Sequence, residues 1–145
     1  MIKFGVAGGT DAFRKEYKNS YQMPEYLNKF GLDAYEYQCS RGVKVSDEIA
    51  EKIKNEAIKH NIKLSIHAPY YISLSTQEQD KKEKTKKYIL DTMTVAKKMG
   101  ADRIVVHAGA LLGLERSFAV ESACKLLKEV INDADKLGLG DITIC

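Results

Sequence analysis

The chain has 145 residues, of which 44% are hydrophobic and 30% charged, and its formal net charge is +3. That is enough for one domain with a real core, and the composition is that of an ordinary soluble globular protein rather than a disordered or fibrous one. A charge this small permits a polyanionic partner without demanding one.

Three cysteines, Cys39, Cys124 and Cys145, form no Cys-x-x-Cys pair and leave one over. Neither a disulfide framework nor a zinc ribbon is expected, and a reducing cytoplasm is the setting that fits. The amino terminus enters a strand-like run directly, without the apolar stretch and cleavage site of a signal peptide. No segment approaches about eighteen apolar residues, which excludes a membrane-spanning helix.

In chain order, residues 2–7 read as a first strand, ended by Gly8-Gly9-Thr10, where glycine allows a tight turn and close approach of backbone to a ligand. The spacing of Gly5, Gly8 and Gly9 is wrong for a dinucleotide fingerprint. Pro24 starts a helix over 24–30, with Gly31 as its carboxyl-terminal cap. Residues 33–38 form a second strand, and Glu36 within it points into a barrel or cleft, or lies on the other face. Ser46 is a good N-cap for a helix running to about His60, with Asp47 and Glu48 in the first turn, where carboxylates complement the helix dipole. Ile49, Ile53 and Ala57, with Ile58 beside them, are its expected buried stripe. His60 is expected to be solvated at the helix end.

The third strand, 62–67, ends on His67 and a turn bounded by Pro69. A helix over 78–99 follows, with Ile89, Met93 and Ala96 on one face. The basic run from Lys81 to Lys87 near its start works against the helix dipole, and it reads as a solvated face or as a phosphate contact. A fourth strand over 103–107 ends on His107. After a glycine-containing loop, a helix over 116–137 buries Ala123, Leu127, Val130, Ala134 and Leu137, and Gly138 caps it. Residues 141–145 are a fifth strand.

Strand, helix and strand between His67 and His107 make a βαβ unit whose strands lie side by side and point the same way. With neighbouring strands about 4.8 Å apart, two imidazoles at equivalent ends could share one metal ion. The alternative is that each ring merely satisfies a turn carbonyl. The alternation of elements predicts an α/β fold with a parallel sheet and right-handed crossovers. An open doubly wound sheet and part of a (β/α)8 barrel both fit, and periodicity does not separate them.

The runs Ser65-Ile66-His67-Ala68-Pro69-Tyr70-Tyr71 and Val105-Val106-His107-Ala108-Gly109 resemble the endonuclease IV family of apurinic/apyrimidinic endonucleases, among the xylose-isomerase-like barrels. The resemblance is specific at the two histidine motifs and loose along the rest of the chain. It implies a TIM barrel with a trinuclear zinc site at the carboxyl ends of its strands, acting on DNA that contains abasic sites and hydrolysing the phosphodiester on their 5′ side. Carried over, His67 and His107 match two ligands of one zinc and Tyr70 matches a DNA-contacting aromatic. Arg41 stands where an arginine enters the duplex near the lesion, or is a solvated loop arginine.

A complete barrel takes about 250 residues, so this chain, with five strands and four helices expected, reads as the amino-terminal part of a single (β/α)8 barrel over residues 1–145. At most a partial zinc site is then expected, with little nuclease activity from the chain alone. Unpaired barrel edges would invite self-association. A sugar isomerase or epimerase of the same superfamily using a divalent metal, and a non-catalytic α/β domain, are the competing readings.

Overall fold

A computed structural model describes residues 2–145. Five strands, β1 (Gly5–Ala7), β2 (Ala34–Gln38), β3 (Lys63–His67), β4 (Arg103–Val105) and β5 (Thr143–Ile144), alternate with helices. These are α1 (Asp11–Glu16), α2 (Met23–Lys29), α3 (Asp47–Lys59), α4 (Gln79–Met99) and α5 (Arg116–Lys136), and a short 3-10 turn at Ser20–Gln22 leads into α2. No described helix is long and apolar enough to cross a membrane.

The sheet is parallel throughout, in the order β1-β2-β3-β4-β5. Each new strand is added on the same side of the last, so there is no point where the winding reverses. That excludes the doubly wound alternative and gives the topology of a (β/α) barrel, here not closed. Among the described strands β1 and β5 are paired on one side only.

Alternation along the strands separates two faces. Tyr35, Leu64, Ile66 and Ile104 are buried and join Ile53, Ala57, Ile89, Met93, Ala96 and Val130 of the helices in one core. Burying a side chain of this size contributes roughly 1.5–3 kcal/mol. The opposite face carries Glu36, Gln38, Lys63, Ser65, His67 and Arg103, all of them exposed or half-buried. Helices therefore cover the outer face, and the polar inner face carries the residues available for chemistry.

Local chemistry accounts for the helix limits. The Ser46 hydroxyl accepts from Ile49 N to start α3, and Gly100, at φ +77°, ends α4. Helix α1 was not expected from the sequence: it has six residues and one buried side chain, Phe13, too short for a period to register. Thr10 caps it by accepting from Phe13 N.

Three expectations about burial are corrected. Ile58 is 70% exposed, because it lies a hundred degrees round the helix from Ala57 and off the stripe. Leu137 is 61% exposed because it is the cap residue of α5 and not part of its buried face, where Ala119 and Leu126 join Val130 and Ala134. His60 is not solvated: its side chain is only 15% exposed, with Nε2 3.3 Å from Glu56 Oε2 one turn back. In the basic run, Lys81 pairs with Glu78, Lys87 with Asp91, and Lys86 with Asp133 and Glu129 of α5. These pairs account for three of its cations without a phosphate.

Candidate metal centre

His67 is the last residue of β3, on the inner face with Ser65, and its register partner is Val105 of β4. His107 lies two residues past Val105 and so returns to the same face, just beyond the end of the strand. The two rings meet there, with centroids 4.9 Å apart and planes inclined by 47°. An ion bonded to both rings at about 2.0–2.1 Å in tetrahedral geometry would hold their centroids roughly 5 Å apart. The Tyr70 ring completes a triangle, 5.7 Å from His67 and 5.6 Å from His107. Tyr70 stands three residues past His67, at the turn that follows β3.

His67 Nδ1 lies 2.8 Å from Ala68 O. A carbonyl only accepts, so Nδ1–H is the donor and the lone pair of the neutral ring is on Nε2. The ring does satisfy a turn carbonyl, as the alternative reading required. That same bond fixes the tautomer and orientation that a ligating imidazole uses. Two imidazoles thus fit a metal as two of its ligands. Among the described residues no group of three or more His, Cys, Asp or Glu side chains is placed to hold an ion, so the pair alone falls short of a coordination shell.

Glu36 faces inward, one layer below, and accepts from Ser65 Oγ at 3.3 Å. Gln38 pairs with His67 in register, and its side chain lies across the turn after β1. A Cβ on Gly8 would stand 2.7 Å from Gln38 Oε1, which the flexible Gln38 side chain could yield, whereas the φ of +68° at Gly8 favours glycine in itself. Arg41 is exposed on the loop after β2, at a shallow cleft of about 340 Å³ that Tyr37, Ser40 and Lys44 also line. It has no ion-pair partner among the described residues and takes no part in the contacts of the two histidines and Tyr70. Cys39, on the same loop, is 4% exposed, and burial pushes its thiol up to about 11. It therefore stays protonated at neutral pH, a poor nucleophile and a poor metal ligand.

Sequence reasoning missed the residues that join the loops after β3 and β4, chiefly Ser73, Ser75 and Gly109. Only Gly109 left a signal, as the chain-bending residue of the second histidine motif.

The model of a family described as "Xylose isomerase-like TIM barrel" matches residues 24–144. An uncharacterized protein of Methanocaldococcus jannaschii is 27% identical over 139 residues, 96% of this chain and 48% of that protein. A probable endonuclease 4 of Thermotoga maritima is 28% identical over 93 residues, 62% of this chain and 32% of that protein. Among solved structures, D-psicose 3-epimerase with D-tagatose, from Clostridium cellulolyticum H10, superposes with a TM-score of 0.69 at 19% identity, over 95% of this chain and 47% of that one. At that identity the likeness is one of fold. The chain spans less than half the length of each of these three relatives.

Proposed function

Because this chain belongs to the Xylose isomerase-like TIM barrel family, we propose that residues 1–145 are the amino-terminal part of a single (β/α)8 barrel in a zinc-dependent DNA-repair endonuclease. It cleaves the phosphodiester on the 5′ side of abasic sites. The observation that carries this reading is the meeting of the His67 and His107 rings, 4.9 Å apart, under Tyr70. Support also comes from the relative of Thermotoga maritima named as a probable endonuclease 4, whose match spans 93 residues, 62% of this chain.

His67 and His107 would hold one zinc ion through imidazole nitrogens, His67 through Nε2, and further ligands would come from later strands. When bound, zinc supplies a hydroxide at neutral pH and stabilises charge on the phosphoryl oxygens. Tyr70, 57% exposed, offers a ring face that stacks on a base or fills the gap left by a missing one. Arg41, exposed on the loop after β2, reaches into the duplex near the lesion. The free edges of β1 and β5 give the chain alone a tendency to self-associate.

The test is cleavage of a duplex with one abasic site by the whole protein, with His67→Ala as the control. Strand scission on the 5′ side of the site, lost in the variant, is expected. The second reading, a divalent-metal sugar isomerase or epimerase, draws on the fold likeness to the psicose epimerase. Turnover of a ketose with the abasic duplex left intact would establish that reading and overturn the nuclease.

A further inference from the structure

His107 lies beyond the last ladder residue of β4, so the sheet does not by itself fix its ring. The loop that follows it is fastened instead to the loop after β3. Leu74 N donates to Ala108 O at 3.0 Å. The Ser75 hydroxyl, on a residue 5% exposed, donates to Ala110 O at 2.6 Å. Between these two bonds Gly109, at φ +91°, lies flat on the other loop, where an added Cβ would come within 3.0 Å of Ser73 Cα. The seam is anchored from behind, because Ser73 N donates to the hydroxyl of Thr85, a residue of α4 that is 1% exposed. Beyond the seam Leu111 and Leu112 are exposed, in a turn closed by Leu114 N donating to Leu111 O, and Leu112 takes a positive φ of 55°. Together with the bond from Val106 N to Cys145 O at 2.9 Å, which holds the residue before His107, the two bonds and the glycine contact are the fixed points on either side of the ring.

We infer that Ser75 is a positioning residue for the metal centre, its hydroxyl clamping the loop after β4 so that the His107 ring stays against His67. Its bearing on metal affinity rests on the reading that the pair grips one cation, whereas its bearing on ring position does not. Groups that orient a metal ligand from behind typically change affinity by 10–100-fold when removed. The Ser75 bond acts one step further back, through the backbone.

The experiment compares the unaltered chain with Ser75→Ala and with Ser75→Thr, which keeps the hydroxyl. In the metal-free protein, proton–proton cross-relaxation between the His67 and His107 rings is expected in the unaltered chain and in Ser75→Thr. It should weaken severalfold in Ser75→Ala, while the Leu64 and Ile66 amides of β3 keep their protection from exchange. Zinc titration is expected to give on the order of tenfold weaker binding for Ser75→Ala. Cross-relaxation as strong in Ser75→Ala as in the unaltered chain overturns the proposal. Weakened cross-relaxation with zinc affinity unchanged leaves the clamp standing and overturns the metal reading.

Discussion

The two ends of β3 and β4 show how differently one pair of strands is used. At the amino end Asp102 is held by two cations, Lys63 Nζ at 2.6 Å and Arg103 Nε at 3.0 Å. The hydrogen bond from Arg103, then that from Lys63, brings its carboxyl down to about 2. The carboxylate is fully engaged there, and the surplus is one positive charge, not a lone pair. At the carboxyl end His67 spends its one donor on Ala68 O and leaves an acceptor nitrogen beside a second imidazole and an exposed tyrosine. In barrels of this kind the first end belongs to stability and the second to chemistry. The physical difference is that the acceptor is taken up by cations at one and lone pairs are left available at the other.

Substitutions at the two ends should therefore separate binding from stability. The largest effect is expected at the carboxyl end: His67→Ala or His107→Ala should weaken zinc binding by about 100-fold or more. Both rings are at least partly exposed, so unfolding free energy should stay within about 1 kcal/mol of the unaltered chain. Calorimetric zinc titration beside urea unfolding reads both quantities.

Gly109→Ala sharpens the contrast, since it lies at the binding end and yet should cost stability. Its backbone conformation and the Ser73 contact predict a loss of about 1–3 kcal/mol in urea unfolding.

At the amino end, Asp102→Asn should leave zinc binding unchanged and lower stability by about 1 kcal/mol or less, because the pair is partly solvated and screened. The folded carboxyl lies below its ordinary value of 3.8, at about 2. Its contribution is thus fully present above about pH 4 and lost as pH falls toward 2. Thermal melts from pH 6 to pH 2 should show the unaltered chain and Asp102→Asn converging over that window. A gap that persists at pH 2 would assign the difference to something other than this carboxylate.

The smallest effect is expected at Ser73→Ala. The Ser73 hydroxyl is buried without a hydrogen-bond partner, so removing it should change stability by no more than about 0.5 kcal/mol, while Ser75→Ala in the same seam should cost more. Equal losses would show that the seam acts through packing and not through the Ser75 bond.

What the sequence disclosed follows from the range of each interaction. Periodic burial located β2, β3, α3 and α4 to within a residue or two, because stripes such as Ile89, Met93 and Ala96 are local. The approach of His67 to His107 was also legible, since strand spacing and the two-residue alternation decide it once β3 and β4 are neighbours. The winding of the sheet was not, because nothing in a strand's own residues says on which side the next one pairs. Helix α1 was too short for a period, and Ile58 and Leu137 were assigned to stripes on hydrophobicity where helix geometry turns them outward. The clamp was invisible for another reason: Ser75 and Ala110 are joined across 35 residues by two irregular loops, and no pattern links them.

The central claim is that His67 and His107 grip one cation together, and X-ray absorption at the zinc edge tests it most directly. With one equivalent of zinc, the absorption fine structure should contain two imidazole ligands in a first shell at about 2.0–2.1 Å. One of them should be lost in His67→Ala and one in His107→Ala. A spectrum with a single imidazole or with sulfur in the first shell, or one unaltered by either substitution, would contradict it.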